Sequence, residues 1–247
     1  MPGQDPKQQD FSKLNHGRIT RRHAIWHISA GALGAGLLHL AQTPMRADQP
    51  KHARLSADEA LKRLLEGNDR FANGHDAHPH LGSARRADLL RDQEPFATIV
   101  GCSDSRVPPE IIFDQGLGDL FDVRVAGNVI DEGVLASVEY ATLHLRTPLV
   151  LLVGHESCGA VTAALEAFDG RSHEPPDIQK LLRMIEPSLR GLPANLKGAG
   201  RVTAAVEANV RQSMAQLTKS AVAGTDVKIV GSVYNLATGA VRILEPA

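Results

Sequence analysis

Phe96-Ala97-Thr98-Ile99-Val100-Gly101-Cys102-Ser103-Asp104-Ser105-Arg106-Val107 is the stretch from which the fold can be read. Its first six residues form an apolar run, the pattern of a strand buried on both faces. The chemistry begins where the run stops: a thiol at Cys102, then an acid and a base, Asp104 and Arg106, two residues apart.

Outward from this stretch the pattern repeats. Further strands are expected at Asp119 to Val125, Leu149 to Val153 and Val227 to Val233, with Ala240 to Leu244 pairing antiparallel at an edge after a turn at Thr238-Gly239. Helices are expected between them. Ser56-Ala57-Asp58-Glu59 reads as a capped helix start, followed by a stripe of Leu61, Leu64, Leu65 and Phe71. Shorter helices follow at Ser83 to Arg91 and from Pro108-Pro109-Glu110. Longer ones are expected at Glu132 to Arg146, at Ser157 to Phe168 with Ser157 as cap, and near 177–190 and 201–223. Strands alternating with helices give an α/β fold: a mostly parallel central sheet of four strands plus an antiparallel edge strand, flanked by helices.

The N-terminal stretch is different in kind. Thr20-Arg21-Arg22-His23-Ala24-Ile25-Trp26 precedes an uncharged, Gly- and Ala-rich run from Ile28 to Ala41. A paired arginine before a mild apolar run reads as a twin-arginine export signal. The run is too short and glycine-rich for a stable membrane span. Residues 1–47 are therefore expected to be an export signal and disordered N-terminus, and 48–247 the functional domain, delivered to the periplasm. Cleavage near Ala47 fits, although Met45 is a poor residue at the small position before it. The formal net charge is −1, and no basic face suggests a nucleic-acid or anionic-membrane partner.

The two cysteines of the chain are Cys102 and Cys158. His155 follows the third strand, and Cys158 comes three residues later. Ligands in open α/β sheets bind beyond the carboxyl ends of the strands. Two thiolates and an imidazole meeting there make a Cys₂His set, which leaves a tetrahedral zinc one open position for water, the arrangement of a catalytic rather than a structural zinc. The alternatives are two unrelated thiols or a disulfide, which export permits. Asp104 lies close enough in sequence to accept a hydrogen bond from a hydroxide on the metal, with Arg106 holding it ionised, or to become a fourth ligand and close the site. His75, His78 and His80 lack a thiol or carboxylate at ligand spacing and read as a solvated loop. His144 is a proton-shuttle candidate by residue type alone. The residues by themselves imply zinc-hydroxide lyase or hydrolase chemistry without naming a substrate.

Cys102-x-Asp104-x-Arg106 with His155-x-x-Cys158 resembles the signature of the β-class carbonic anhydrases. The similarity runs from about Ser56 to Leu244 and includes Ile112-Phe113-Asp114-Gln115-Gly116, Gly118-Asp119-Leu120-Phe121, Glu139-Tyr140 and Tyr234-Asn235-Leu236-Ala237-Thr238-Gly239. The resemblance implies reversible hydration of carbon dioxide to bicarbonate and a proton. It implies one Zn2+ per subunit on Cys102, His155 and Cys158, and a catalytic pair of Asp104 and Arg106. Gln93, Phe121 and Tyr140 match substrate-pocket residues of the plant-like subgroup, and the Gly159 N–H matches a bicarbonate contact. In that family Gln, Phe and Tyr often come from a second subunit, so the resemblance implies a homodimer or a dimer of dimers. Ala126 stands where the family often has a larger aliphatic residue, and Ile99 where members with a regulatory bicarbonate site carry tryptophan. Two alternatives share the motif: a carbonyl sulfide or carbon disulfide hydrolase, and a non-catalytic protein that binds zinc or bicarbonate.

Overall fold

A computed structural model describes residues 54–171, 173–220, 222 and 226–245. The export signal expected at 1–47 lies outside the described residues. The first helix, α1 (Ala57–Ala72), begins at the expected cap: the Ser56 side chain accepts from Glu59 N–H, and the Glu59 carboxylate accepts from Ser56 N–H. Its inward face is Ala60, Leu64, Gly67 and Asn68, the i, i+4, i+7, i+8 positions of one stripe. Gly67 is needed there because a Cβ would meet the Phe113 carbonyl oxygen at 1.8 Å. Asn68 is the polar exception. It donates to the Ile112 and Gly239 carbonyls and accepts from Val241 N–H, so one buried amide joins three distant parts of the chain.

The remaining elements are α2 (Ser83–Asp88), β1 (Ala97–Gly101), α3 (Pro109–Ile112), β2 (Leu120–Arg124), a 3₁₀ turn (Ala126–Asn128), α4 (Glu132–Leu143), β3 (Leu149–His155), α5 (Gly159–Phe168), α6 (Pro176–Leu189), α7 (Gly198–Thr218), β4 (Lys228–Tyr234) and β5 (Val241–Ile243). The sheet order is β2-β1-β3-β4-β5. All pairings are parallel except β4 with β5. This is the expected fold class. Residues of β3 alternate between two cores, as the two-residue period of a strand requires. Leu149, Leu151 and Val153 pack with Leu64, Ile112 and Phe113 on the α1 and α3 side. Val150 and Leu152 pack with Val161, Ile185, Val206 and Val210 on the side of α4 to α7. Both β1 and β3 are buried throughout, which explains their unbroken apolar sequences.

Several boundaries differ from the sequence reading. His155 is the last residue of β3, paired with Tyr234, rather than the residue after the strand. The residue before α5 is Cys158; Ser157 lies outside at a φ of 53° and does not cap it. The helix expected to reach Arg146 stops at Leu143, since Arg146 takes a φ of 56° ahead of Thr147-Pro148. The histidine loop is exposed but anchored. Backbone N–H groups of Ala77 and His78 donate to Asp114, and His80 Nδ1 lies 2.7 Å from Asp119 Oδ2.

The edge strand β2 carries a carboxyl group that propensity disfavours. Asp122 Oδ1 is buried with no hydrogen-bond partner. Burial pushes the Asp122 carboxyl up to about 8; the neighbouring Glu110 adds to the push, and Arg124 opposes it. Folded-state Asp122 therefore keeps its proton at pH values where the unfolded chain has lost it. The stability this gives is complete below pH 4 and is lost as pH rises from about 4 through about 8. Asp122→Asn is expected to flatten that decline and to gain on the order of 4 kcal/mol at pH 8 relative to its effect at pH 5. Urea unfolding at the two pH values measures this; equal effects at both would refute it.

Candidate metal centre

The strand order places the site. From β1 the chain moves outward to β2, then returns past β1 to β3, so the direction of winding reverses between β1 and β3. A crevice opens beyond the carboxyl ends of strands at such a point. Gly101 is level with Val153 across that boundary. Cys102 follows β1, His155 ends β3, and Cys158 immediately precedes α5.

All three are buried, and their ligand atoms lie within 4.8 Å of one another. The two sulfurs are 4.0 Å apart and both thiols are free, which removes the disulfide alternative. Two sulfurs on a tetrahedral zinc, each about 2.3 Å from it, would stand about 3.8 Å apart, so the spacing fits such an ion. His155 Nδ1 lies 2.9 Å from the Glu156 carbonyl oxygen. A carbonyl can only accept, so Nδ1 carries the proton and Nε2 presents a lone pair. That Nε2 is buried without a hydrogen-bond partner, the condition of an atom shaped for a ligand. The hydrogen bond from Cys158 pulls the Cys102 thiol down to about 4, and the same contact pushes Cys158 up. Two thiolates 4.0 Å apart in a buried site repel, so holding both sulfurs deprotonated calls for a cation.

Asp104 and Arg106 come together as the spacing suggested. Arg106 donates Nε to Oδ1 at 2.9 Å and Nη2 to Oδ2 at 2.7 Å, and its backbone N–H also reaches Oδ1 at 2.9 Å. The guanidinium holds the Asp104 carboxyl well below the usual carboxylate range. Asp104 Oδ2 lies 3.8 Å from His155 Nε2, so the acid faces the ligand cluster. The expected pocket residues are placed less tightly. Phe121 and Tyr140 pair with ring centroids 6.2 Å apart, and His144 lies 5.1 Å beyond Tyr140. Tyr140 is 48% exposed. Gly159 opens α5 with open space about its α-carbon. Gln93 is exposed between α2 and β1, where its backbone N–H donates to Asp92 Oδ1 at 2.8 Å.

Two supports escaped the sequence reading. Arg124 donates Nε to the Cys102 carbonyl at 3.0 Å and Nη2 to the Asp104 carbonyl at 2.6 Å, clamping the loop that carries both groups. A signal existed: Arg124 ends β2 opposite Gly101, so parallel pairing sets it beside the residues that follow β1. The second support is the 3₁₀ turn, whose Gly127 N–H donates to Cys102 Sγ at 3.3 Å.

Comparison with known proteins gives one family. A carbonic anhydrase family model matches residues 97–241. A carbonic anhydrase of Mycolicibacterium smegmatis is 43% identical over 191 residues, covering 74% of this chain and 91% of that protein. The structure of the β-carbonic anhydrase CcaA superposes with a TM-score of 0.62 at 26% identity, over 75% of this chain and 95% of that one. One of two tetrameric β-carbonic anhydrases from Sordaria macrospora gives a TM-score of 0.57 at 25% identity, over 75% of this chain and 97% of its own.

Proposed function

The chain belongs to the β-class carbonic anhydrase family, and from that premise we propose that it hydrates carbon dioxide reversibly to bicarbonate and a proton on one zinc ion. Cys102 Sγ, His155 Nε2 and Cys158 Sγ would hold the ion. The observation that carries the reading is this buried donor set, with an unpartnered His155 Nε2, facing the Asp104–Arg106 pair. When bound there, zinc supplies a Lewis acid that brings the pKa of water to about 7.

The protein's own groups then divide the work. An ionised Asp104 can only accept, so Oδ2 takes a hydrogen bond from the attacking hydroxyl and leaves an oxygen lone pair aimed at the substrate carbon. Arg106 supplies the charge that keeps Asp104 ionised and the fork that fixes its rotation. Arg124 fixes the backbone beneath both. The Gly159 N–H, at the positive end of α5, donates to the anionic product.

We place the chain in the plant-like subgroup, with Gln93, Phe121 and Tyr140 forming the substrate wall. The exposure of Tyr140 and Gln93 in one chain supports a wall completed by a second copy, as a homodimer or a dimer of dimers. Sedimentation of the purified protein as a monomer would count against that pairing. Among the described residues no helix is long and apolar enough to cross a membrane. Residues 1–47 we read as a twin-arginine signal for the periplasm; cell fractionation that finds the protein only in the cytoplasm would overturn this. The activity itself is tested by stopped-flow carbon dioxide hydration with zinc-loaded protein across pH. A zinc-dependent rate that rises toward alkaline pH is expected, and no rate above buffer would sink the reading.

A further inference from the structure

We propose that Asn209 and Ser213 on α7 are positioning residues that hold the Gly127 turn so that its N–H donates to the sulfur of Cys102. The inference rests on Cys102 being a metal ligand, as argued above. The turn closes on one hydrogen bond of its own, from Asn128 N–H to the Val125 carbonyl at 2.9 Å. Gly127 takes φ 69° and ψ 17°, a left-handed conformation that glycine leaves as readily as it enters. Two further restraints come from α7. Asn209 Nδ2 donates to the Gly127 carbonyl at 2.7 Å, and Ser213 Oγ donates to the Asn128 carbonyl at 3.1 Å. The two side chains are one helical turn apart on the same buried face of α7, each 1% exposed. The two carbonyls that follow the Gly127 N–H are thus pinned, which restrains the torsions that aim this N–H at Cys102 Sγ, 3.3 Å away.

Fold stability alone does not account for Asn209. Asparagine is a poor residue for a helix interior. Its Oδ1 is buried without a hydrogen-bond partner, so half of the amide is desolvated for no return. A leucine of similar size would suit the apolar core to which α7 contributes Val206 and Val210 better. The useful half is Nδ2, and its partner is the turn that reaches Cys102. A hydrogen bond to a ligating sulfur draws electron density from it and orients its lone pairs, and such outer contacts typically change metal affinity by 10–100-fold.

The test uses the full-length zinc-loaded protein with Asn209→Leu and Ser213→Ala, reading zinc release to a chromophoric chelator and the thiolate-to-metal absorption of the cobalt-substituted protein. Asn209→Leu is expected to fold with a somewhat lower melting temperature, since the buried Gly127 carbonyl loses its donor, and to release zinc about tenfold faster with a shifted cobalt band. Ser213→Ala should move both readouts in the same direction by less. If Asn209→Leu does not fold, Ser213→Ala decides alone: faster release supports the proposal, and unchanged release overturns it. Wild-type release and spectrum in folded Asn209→Leu would also overturn it. A wild-type protein that holds no zinc would sink this proposal together with the functional reading, whereas unchanged variants of a zinc-holding protein sink this one alone.

Discussion

Cys102→Ser is expected to leave a folded protein that retains well under one zinc per chain and hydrates carbon dioxide at the buffer rate, a loss on the order of 10⁴-fold. Cys102 lies within 4.8 Å of both other donors and receives the Gly127 N–H, and among the described residues no further Cys or His belongs to this cluster. A serine hydroxyl stays protonated at neutral pH and offers zinc a far weaker donor than a thiolate. The fold should tolerate the change. Serine is slightly smaller, and the sulfur is 4.0 Å from its neighbour, so no covalent link is lost. Far-ultraviolet circular dichroism, metal analysis and stopped-flow hydration check the three parts. Zinc at wild-type stoichiometry in Cys102→Ser would remove this cysteine from the ligand set.

Asp104→Asn separates the metal from the chemistry. Asparagine keeps an oxygen for the Arg106 N–H and preserves the loop, but its charge is gone and its amide nitrogen donates where an acceptor is required. Arg106 is then left with no carboxylate to hold. Zinc content is expected to stay at the wild-type value while hydration falls about 10²- to 10³-fold. The difference from Cys102→Ser is diagnostic: one variant loses metal and rate together, the other rate alone. Hydration within twofold of wild type in Asp104→Asn would show that the acid does not aim the attacking oxygen.

How much of this was legible in the sequence differs residue by residue. The burial of β1 and β3 was readable because a strand covered on both faces cannot alternate, and Phe96 to Gly101 and Leu149 to Val153 do not. Once those strands were placed, Cys102, His155 and Cys158 followed from local spacing. Asp104 and Arg106 followed because they are two residues apart. The groups that hold these in place were harder to find. Arg124 acts through the parallel register of β2 with β1, and Asn209 through the rotation of α7 about its own axis; neither quantity is encoded within a few residues. The end of β3 was misplaced by two residues for the same reason, since Gly154 and His155 join the strand by pairing with β4. Asp122 ran against expectation most clearly, because nothing near it in sequence signals that an edge-strand carboxyl will be buried beside Glu110.

The pairing of β1 with β3 also has a kinetic meaning. His155 and Cys158 are near neighbours in the chain, but Cys102 joins them only after a crossover through β2 and α4 has closed. A fragment that ends before β3 carries one thiol, and an intermediate with β1 joined only to β2 leaves Cys102 apart from His155 and Cys158; neither has the chelating set. Long-range parallel pairing is among the slower steps available to a chain of this size. Tight metal capture should therefore report the arrival of native topology rather than precede it, and the time course of zinc uptake during refolding should track β1–β3 assembly.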